Sequence, residues 1–258
     1  CSPLAKNHEI TKNAPGSIKT RYQKKDPPEG EKKATHVYNY MNHFVSHEWT
    51  EDDWRMHHWI YHRLTEDVDR QIGKVLYSLE ETGLDENTIV IFTSDHGDLD
   101  GAHKMVHKGV FYEESTTVPF IIAGPGVHNS VNDEHLISSS LDLIPTICDF
   151  AGAEIPADLY GQSIKPLVTG EKNIKWRDAV YSENTEGRMI RTSRYKYCLY
   201  KSGEPREMLI DMKNDPGEMV NLAVQPEYTD KMDKFRQMIY EQVQKNGDEI
   251  FAEYIKEN

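Results

Sequence analysis

The run Thr88-Ile-Val-Ile-Phe-Thr-Ser-Asp95-His96-Gly97 sets the architecture of this chain and the place of its chemistry. Its β-branched, almost wholly apolar first part predicts a buried strand over 88–94. The Asp-His-Gly that follows brings a carboxylate and an imidazole to the carboxyl end of that strand, the edge of an α/β sheet where ligands gather. Twelve residues after Asp95 comes His107-Lys108-Gly109, a loop that carries an ammonium toward the same pocket. Asp95 and His96 both suit a divalent cation, and a lysine beside them offsets an oxyanion as its charge develops. A cation plus an anion is the simplest use of the trio. Each residue also has a plain use: Asp95 as a cap for the next segment, Lys108 as surface charge.

Upstream, Ile60, Leu64, Val68, Ile72, Val75, Leu76 and Leu79 recur at three- and four-residue steps and predict an amphipathic helix that Gly83 ends. Helix, short connection and apolar strand form the pattern of an α/β layer with a parallel sheet covered on both faces. Downstream, Val118-Pro-Phe-Ile-Ile-Ala-Gly predicts a second short strand, and 136–151 a helix in which Pro145 marks a kink or the true start. Past Gly170 the texture changes. Ala179-Val-Tyr-Ser, Arg188-Met-Ile-Arg-Thr, Tyr195-Lys-Tyr-Cys-Leu-Tyr and Glu207-Met-Leu-Ile-Asp read as an antiparallel meander. A helix with Met232, Phe235, Ile239 and Val243 on one face closes it. The chain thus divides into an α/β part over 1–175 and a small α+β part over 176–258.

With 37% hydrophobic residues in 258, the chain has material for a full core. No apolar run approaches the roughly 20 residues that span a bilayer. A formal net charge of −13 excludes general nucleic-acid binding, which needs clustered cations. Lys6, Lys12, Lys19, Arg21, Lys24, Lys25, Lys32 and Lys33 still crowd the first segment, as a solvated loop or as a rim for a polyanion. Cys1, Cys148 and Cys198 form no disulfide framework, and the last two fall in apolar patterns as core thiols. His103 and His107 are able to donate to an anion, shuttle a proton or simply pack. Glu113 and Glu114 open a short helix and read as structural; Asp98 and Asp100 read as solvated.

Taken together, Ser94-Asp-His-Gly-Asp-Leu-Asp-Gly-Ala-His-Lys-Met-Val-His-Lys-Gly-Val-Phe-Tyr-Glu-Glu-Ser115 closely resembles the metal-and-lysine region of the formylglycine-dependent sulfatases. The likeness continues through Val118-Pro119, Asp142-Leu-Ile-Pro-Thr146, Gly161-Gln-Ser163, Trp176-Arg-Asp178, Arg188-Met-Ile-Arg-Thr-Ser-Arg-Tyr-Lys196 and Asp215-Pro-Gly-Glu-Met-Val-Asn-Leu222. It implies an alkaline-phosphatase-like α/β fold, a mixed sheet flanked by helices, with a small C-terminal antiparallel sheet and helix. It implies that Asp95 and His96 bind a divalent cation, usually Ca2+, with Mg2+ or Mn2+ as alternatives. It implies that Lys108 contacts sulfate, and that His103 and His107 line the pocket. Calcium prefers oxygen ligands, so an imidazole at 96 binds weakly, turns to the sulfate, or tilts the site toward a transition metal.

The departures are as informative. The family's nucleophile is formylglycine, made from the Cys or Ser of Cys/Ser-x-Pro-x-Arg. Cys1-Ser-Pro-Leu-Ala5 has Ala5 where the arginine belongs and stands too near Asp95. The paired N-terminal aspartates and the Gly-Lys-x-His segment are also missing, so the chain resembles only the second half of a sulfatase and is expected to be inactive alone. With its N-terminal half as partner, the expected activity is hydrolysis of a sulfated glycan or similar ester. In the mechanism so implied, the formylglycine diolate attacks sulfur while metal and Lys108 offset the oxygen charge. Family habit places such an enzyme in an exported compartment: periplasmic, secreted or lysosome-like. The rival readings are a phosphonate monoester or phosphodiester hydrolase of the same superfamily, and a non-catalytic glycan-binding derivative.

Overall fold

Helix α1, Glu51–Glu81, starts where Thr50 and Asp53 cap each other: the Thr50 amide and hydroxyl donate to Asp53 Oδ2 at 2.8 and 2.6 Å, and the Asp53 amide returns to Thr50 Oγ1 at 3.3 Å. Those bonds hold the Asp53 carboxyl below its usual range. The computed structural model describes residues 4–9, 11–15, 49–130 and 135–256, so Cys1, most of the basic segment, His43 and His47 lie outside the described residues. The helix begins well before the expected stripe and stops at Gly83, left-handed at φ 66°. From Trp59 onward only Ile72 and Leu79 are better than exposed. The apolar stripe, with Val75 at 69%, is uncovered among the described residues.

Strand β1 is Val90–Thr93, shorter than expected, and β2 is Phe120–Ala123. They pair antiparallel, Val90 opposite Ala123 and Thr93 opposite Phe120, as a two-stranded sheet. This corrects the parallel sheet expected from the helix–loop–strand order. An apolar run signals burial on both faces, but strand direction is set by the partner, which the run does not contain.

Helix α2, Glu113–Thr116, and α3, Ser139–Ala151, follow, the latter containing Pro145 in its interior. Pro145 has no N–H to give the Leu141 carbonyl, four residues back. The chain packs against that carbonyl at Gly161, where a Cβ would lie 1.9 Å from Leu141 O. Around the same turn, buried Asp142 accepts from the Ser138 and Gln162 amides, each at 2.8 Å, and from both Arg177 amino groups at 2.6 Å. Thr146 Oγ1 donates to Asp142 O and accepts from the Ile164 amide, while Trp176 Nε1 donates to Leu136 O. Cys148 is only half-buried, not the core thiol expected. A short helix α4, Lys165–Val168, completes this region.

The expected meander forms a four-stranded antiparallel sheet: β3 Ala179–Asn184, β4 Gly187–Thr192, β5 Tyr195–Tyr200 and β6 Glu207–Asp211. Period-two alternation splits its side chains between two cores. Ile190, Tyr197, Leu199 and Leu209 meet Met232, Phe235, Ile239 and Val243 of α5, Thr229–Asn246, and Phe251 of α6, Glu249–Lys256. Met189, Cys198, Tyr200, Met208 and Ile210 meet Leu99, Met105, Val110, Phe111 and Tyr112 on the opposite face. Gly187 permits this second contact, since a Cβ there would sit 3.1 Å from the Phe111 ring.

By contacts the chain forms two compact units that do not follow chain order. One comprises Cys1–His58, Asp98–Ser115 and Ala179–Asn258; the other comprises Trp59–Gly97 and Thr116–Asp178.

Candidate functional site

Asp95 and His96 leave the end of β1 in the second of those units. The Ser94 hydroxyl donates to Asp95 Oδ1 (3.3 Å) and His96 O (2.9 Å), and the His96 amide donates to Asp95 Oδ1 at 3.0 Å. Desolvation works against the Asp95 charge, but the His96 amide, the imidazole and Ser94 together hold its pKa below the usual value. His96 Nδ1 lies 2.9 Å from Gly97 O, so that nitrogen carries the proton in the neutral ring. The Nε2 lone pair then lies 3.2 Å from Asp95 Oδ2. Ligand bonds of roughly 2.0–2.4 Å at about a right angle put adjacent ligand atoms about 3 Å apart, so this donor pair fits a divalent cation. Asp95 is 80% and His96 39% exposed.

His103, His107 and Lys108 belong to the other unit. They ride a loop knotted by its own backbone: Leu99 N–H donates to His107 O at 2.8 Å and Gly101 N–H to Met105 O at 2.9 Å. Left-handed φ values at Asp100, Gly101, His103, Lys104, His107 and Gly109 make that knot possible. Leu99, Met105, Val106 and Val110 point into the core, leaving His107 and Lys108 exposed between buried neighbours. His57 and His58 tie α1 to the loop's start, His57 Nε2 at 3.2 Å from Asp100 Oδ1 and the His58 ring bonded to Asp100 O. His57 and His58 therefore brace the loop.

His103 is fully buried. Its ring stacks on Tyr112 at 3.6 Å, with Nδ1 3.1 Å from Thr11 Oγ1 and Nε2 3.2 Å from Asn7 Nδ2. Burial, then the Lys196 charge, push its pKa down to about 3, so it is neutral at physiological pH. An imidazole so enclosed and so reluctant to protonate suits packing and hydrogen bonding better than proton transfer.

Sequence reasoning passed over the buried residue at the centre of this unit, Lys196. Its Nζ lies 2.8 Å from Phe111 O, 2.7 Å from Glu113 Oε1 and 2.7 Å from Glu218 Oε1. Burial opposes its charge, but Glu218 and Glu113 more than offset this and raise its pKa. Glu113 stays below its usual value through Lys196 and Arg191 in spite of its own burial. His103 Nε2 and carboxylate oxygens of Glu114 and Glu218 also lie within 4.8 Å of one another, a spacing that suits a metal ion. The Lys196 ammonium already supplies a cation there, and a second one would face its repulsion. The signal for Lys196 was its place in an otherwise apolar strand, where an unpaired ammonium is prohibitive.

Two family models match the chain: "Sulfatase" over residues 4–153 and "N-sulphoglucosamine sulphohydrolase, C-terminal" over residues 101–245. The chain belongs to the sulfatase family. A Delta 4,5-hexuronate-2-O-sulfatase of Bacteroides thetaiotaomicron is 40% identical over 212 residues, which cover 78% of this chain and 44% of that protein. The solved structure of a 2-O GAG sulfatase matches 98% of this chain and 54% of its own, with a TM-score of 0.80 and 32% identity. A phosphonate monoester hydrolase of Agrobacterium radiobacter matches 75% of this chain and 42% of its own, at a TM-score of 0.67 and 28% identity. This sulfatase chain thus spans about half the length of the relatives it matches. The segments around Asp142, Gly161 and Trp176-Arg177 converge on one structural knot in it.

Proposed function

We propose that this chain is the C-terminal portion of a sulfuric ester hydrolase that removes sulfate from a glycan, its activity completed by an N-terminal half. The observation that carries this reading is the 40% identity, over 78% of the chain, with a hexuronate-2-O-sulfatase. That relative makes a 2-O-sulfated unsaturated uronate the first substrate to test. Asp95 and His96, with paired donor atoms at the end of β1, hold a divalent cation, Ca2+ or else Mg2+ or Mn2+. Lys108, an exposed ammonium on a tightly built loop, contacts the sulfate and offsets its charge. His107, exposed beside it, donates a proton to a sulfate oxygen or to the departing alcohol. A formylglycine in the N-terminal half would supply the nucleophile. The uncovered apolar surfaces of α1, of β2 (Ile121, 56% exposed) and of α3 (Leu141, Ile144, Ile147) are what that half covers. The enzyme works in an exported compartment.

The test uses the full-length gene product on a 2-O-sulfated unsaturated uronate disaccharide, a 6-O-sulfated N-acetylglucosamine and an aryl phosphodiester. Sulfate release from the first, lost on dialysis against a chelator and restored by a divalent cation, is expected. Asp95→Ala and Lys108→Ala should each lower kcat/KM by about 10²-fold or more. Faster turnover of the phosphodiester would favour the phosphonate monoester hydrolase reading, which the likeness to the Agrobacterium radiobacter structure keeps in view. Sugar binding without hydrolysis of any of the three would leave a glycan-binding derivative.

A further inference from the structure

Lys108 is followed by a segment held at alternate residues from three neighbouring strands. Asn184 Nδ2 of β3 donates to Gly109 O at 3.3 Å. Lys196 Nζ of β5 donates to Phe111 O at 2.8 Å and pairs with Glu113 Oε1 at 2.7 Å. Arg191 Nε of β4 meets the same Glu113 oxygen at 3.4 Å. The registers Val180↔Arg191↔Lys196 and Asn184↔Gly187↔Tyr200 put Asn184, Arg191 and Lys196 on one face of the sheet. It is the face whose apolar middle, Met189, Cys198 and Met208, packs beneath Val110, Phe111 and Tyr112.

Two features show that this is a built arrangement. Arg191 and Lys196 stand directly opposite across β4 and β5, a like-charge pair that would repel. Glu113 bridges them, so the sheet accepts this pair of cations only with the segment seated. On the far side Glu218 Oε1 pairs ionically with Lys196 Nζ at 2.7 Å, and its Oε2 accepts the Glu113 amide at 2.6 Å. Glu113 is thus held through backbone and side chain at once, four residues after Gly109.

We propose that Asn184, Arg191 and Lys196 form a positioning platform for Lys108: the C-terminal sheet, which supplies no reacting group, fixes the backbone from Gly109 to Glu113 and thereby the place of the Lys108 ammonium. The inference rests on the reading of Lys108 as the sulfate contact. These are positioning residues, acting through Lys108. A lysine whose charge must meet developing oxyanion charge loses most of its effect when its anchor shifts by about 1 Å, on the order of 10²-fold in rate.

A double-mutant cycle in the full-length enzyme tests this, with the 2-O-sulfated unsaturated uronate disaccharide as probe. Lys196→Met should lower kcat/KM by about 10²-fold, and Lys196→Arg should recover much of it by keeping the charge. Asn184→Ala, which unbalances no buried charge, should cost about three- to tenfold, and it reads the platform independently if Lys196→Met fails to fold. In the Lys108→Ala background each of these changes should cost less than about twofold, because their route to the reaction is gone. Hydrogen exchange should rise over 105–113 and stay unchanged in α5. Equal losses in both backgrounds, or exchange rising throughout in step with a lower Tm, would show a merely structural role and overturn the proposal. A crippled Lys108→Ala beside fully active Asn184→Ala and Lys196→Met would sink the platform alone. Normal turnover by Lys108→Ala would remove both the platform and the reading beneath it.

Discussion

Two buried titratable groups that feel the Lys196 ammonium have opposite linkage to pH. Burial pushes the Glu218 carboxyl up to about 7 from 4.5, in spite of Lys196. Between those pH values the folded chain keeps a proton that the unfolded chain has released, so stability falls as pH rises through the window. His103 is displaced the other way, from 6.5 to about 3. As pH falls below 6.5 the unfolded chain takes up a proton that the folded chain refuses, so stability is present above 6.5 and lost toward 3. The windows overlap between 4.5 and 6.5, where the two slopes cancel. Denaturant midpoints across that range should therefore change in opposite directions in two variants. Glu218→Gln should unmask a stability that rises with pH, and His103→Gln one that falls, each by up to about 1.4 kcal/mol per pH unit. Parallel slopes in the two variants would contradict the assignment. The family resemblance implied that His103 lines the pocket. Its enclosure by Asn7, Thr11 and Tyr112 was not, because those partners come from about a hundred residues away and from nearby alike.

At the scale of elements, helix α3 carries a cluster whose role is mechanical. Asp142 and Arg177 form a bidentate pair with the carboxylate fully buried, and Gly161 lies against the carbonyl that Pro145 leaves without its helical donor. Arg177→Ala strands the Asp142 charge and should cost about 3–5 kcal/mol in a denaturation curve. Gly161→Ala forces a methyl onto backbone and should cost at least about 3 kcal/mol. A loss under 1 kcal/mol in either would mean the knot relaxes easily. The meander and the face of α5 were readable because alternation and a 3.6-residue period are local properties. The direction of β1 against β2 was not, since register belongs to the pair.

Over the whole molecule, the exposed apolar stripe of α1 matches a chain spanning about half of its relatives. Val75→Glu and Ile121→Glu should be nearly neutral in the isolated chain, within about 0.5 kcal/mol, because both side chains already meet water. In the full-length protein the same changes should cost about 2 kcal/mol or more, the price of placing a carboxylate in a covered interface. Calorimetry of both forms would check this, and equal effects in the two would mean that these faces stay bare. The long acidic-capped helix was legible as a helix; whether anything covers it was not, because amphipathicity announces a need for a partner without naming it.

The amino-acid order by itself determined the family, the strand that ends in Asp95-His96, the loop that carries Lys108, and the meander with its covering helix. All of these are written in residue type and short-range spacing. Tertiary structure decided that β1 and β2 run antiparallel, that His103 is enclosed while His107 and Lys108 face solvent, and that Lys196 grips the segment after Lys108. Burial, pairing and charge compensation depend on which distant residues arrive beside a side chain, and that is a property of the folded arrangement rather than of any window of sequence.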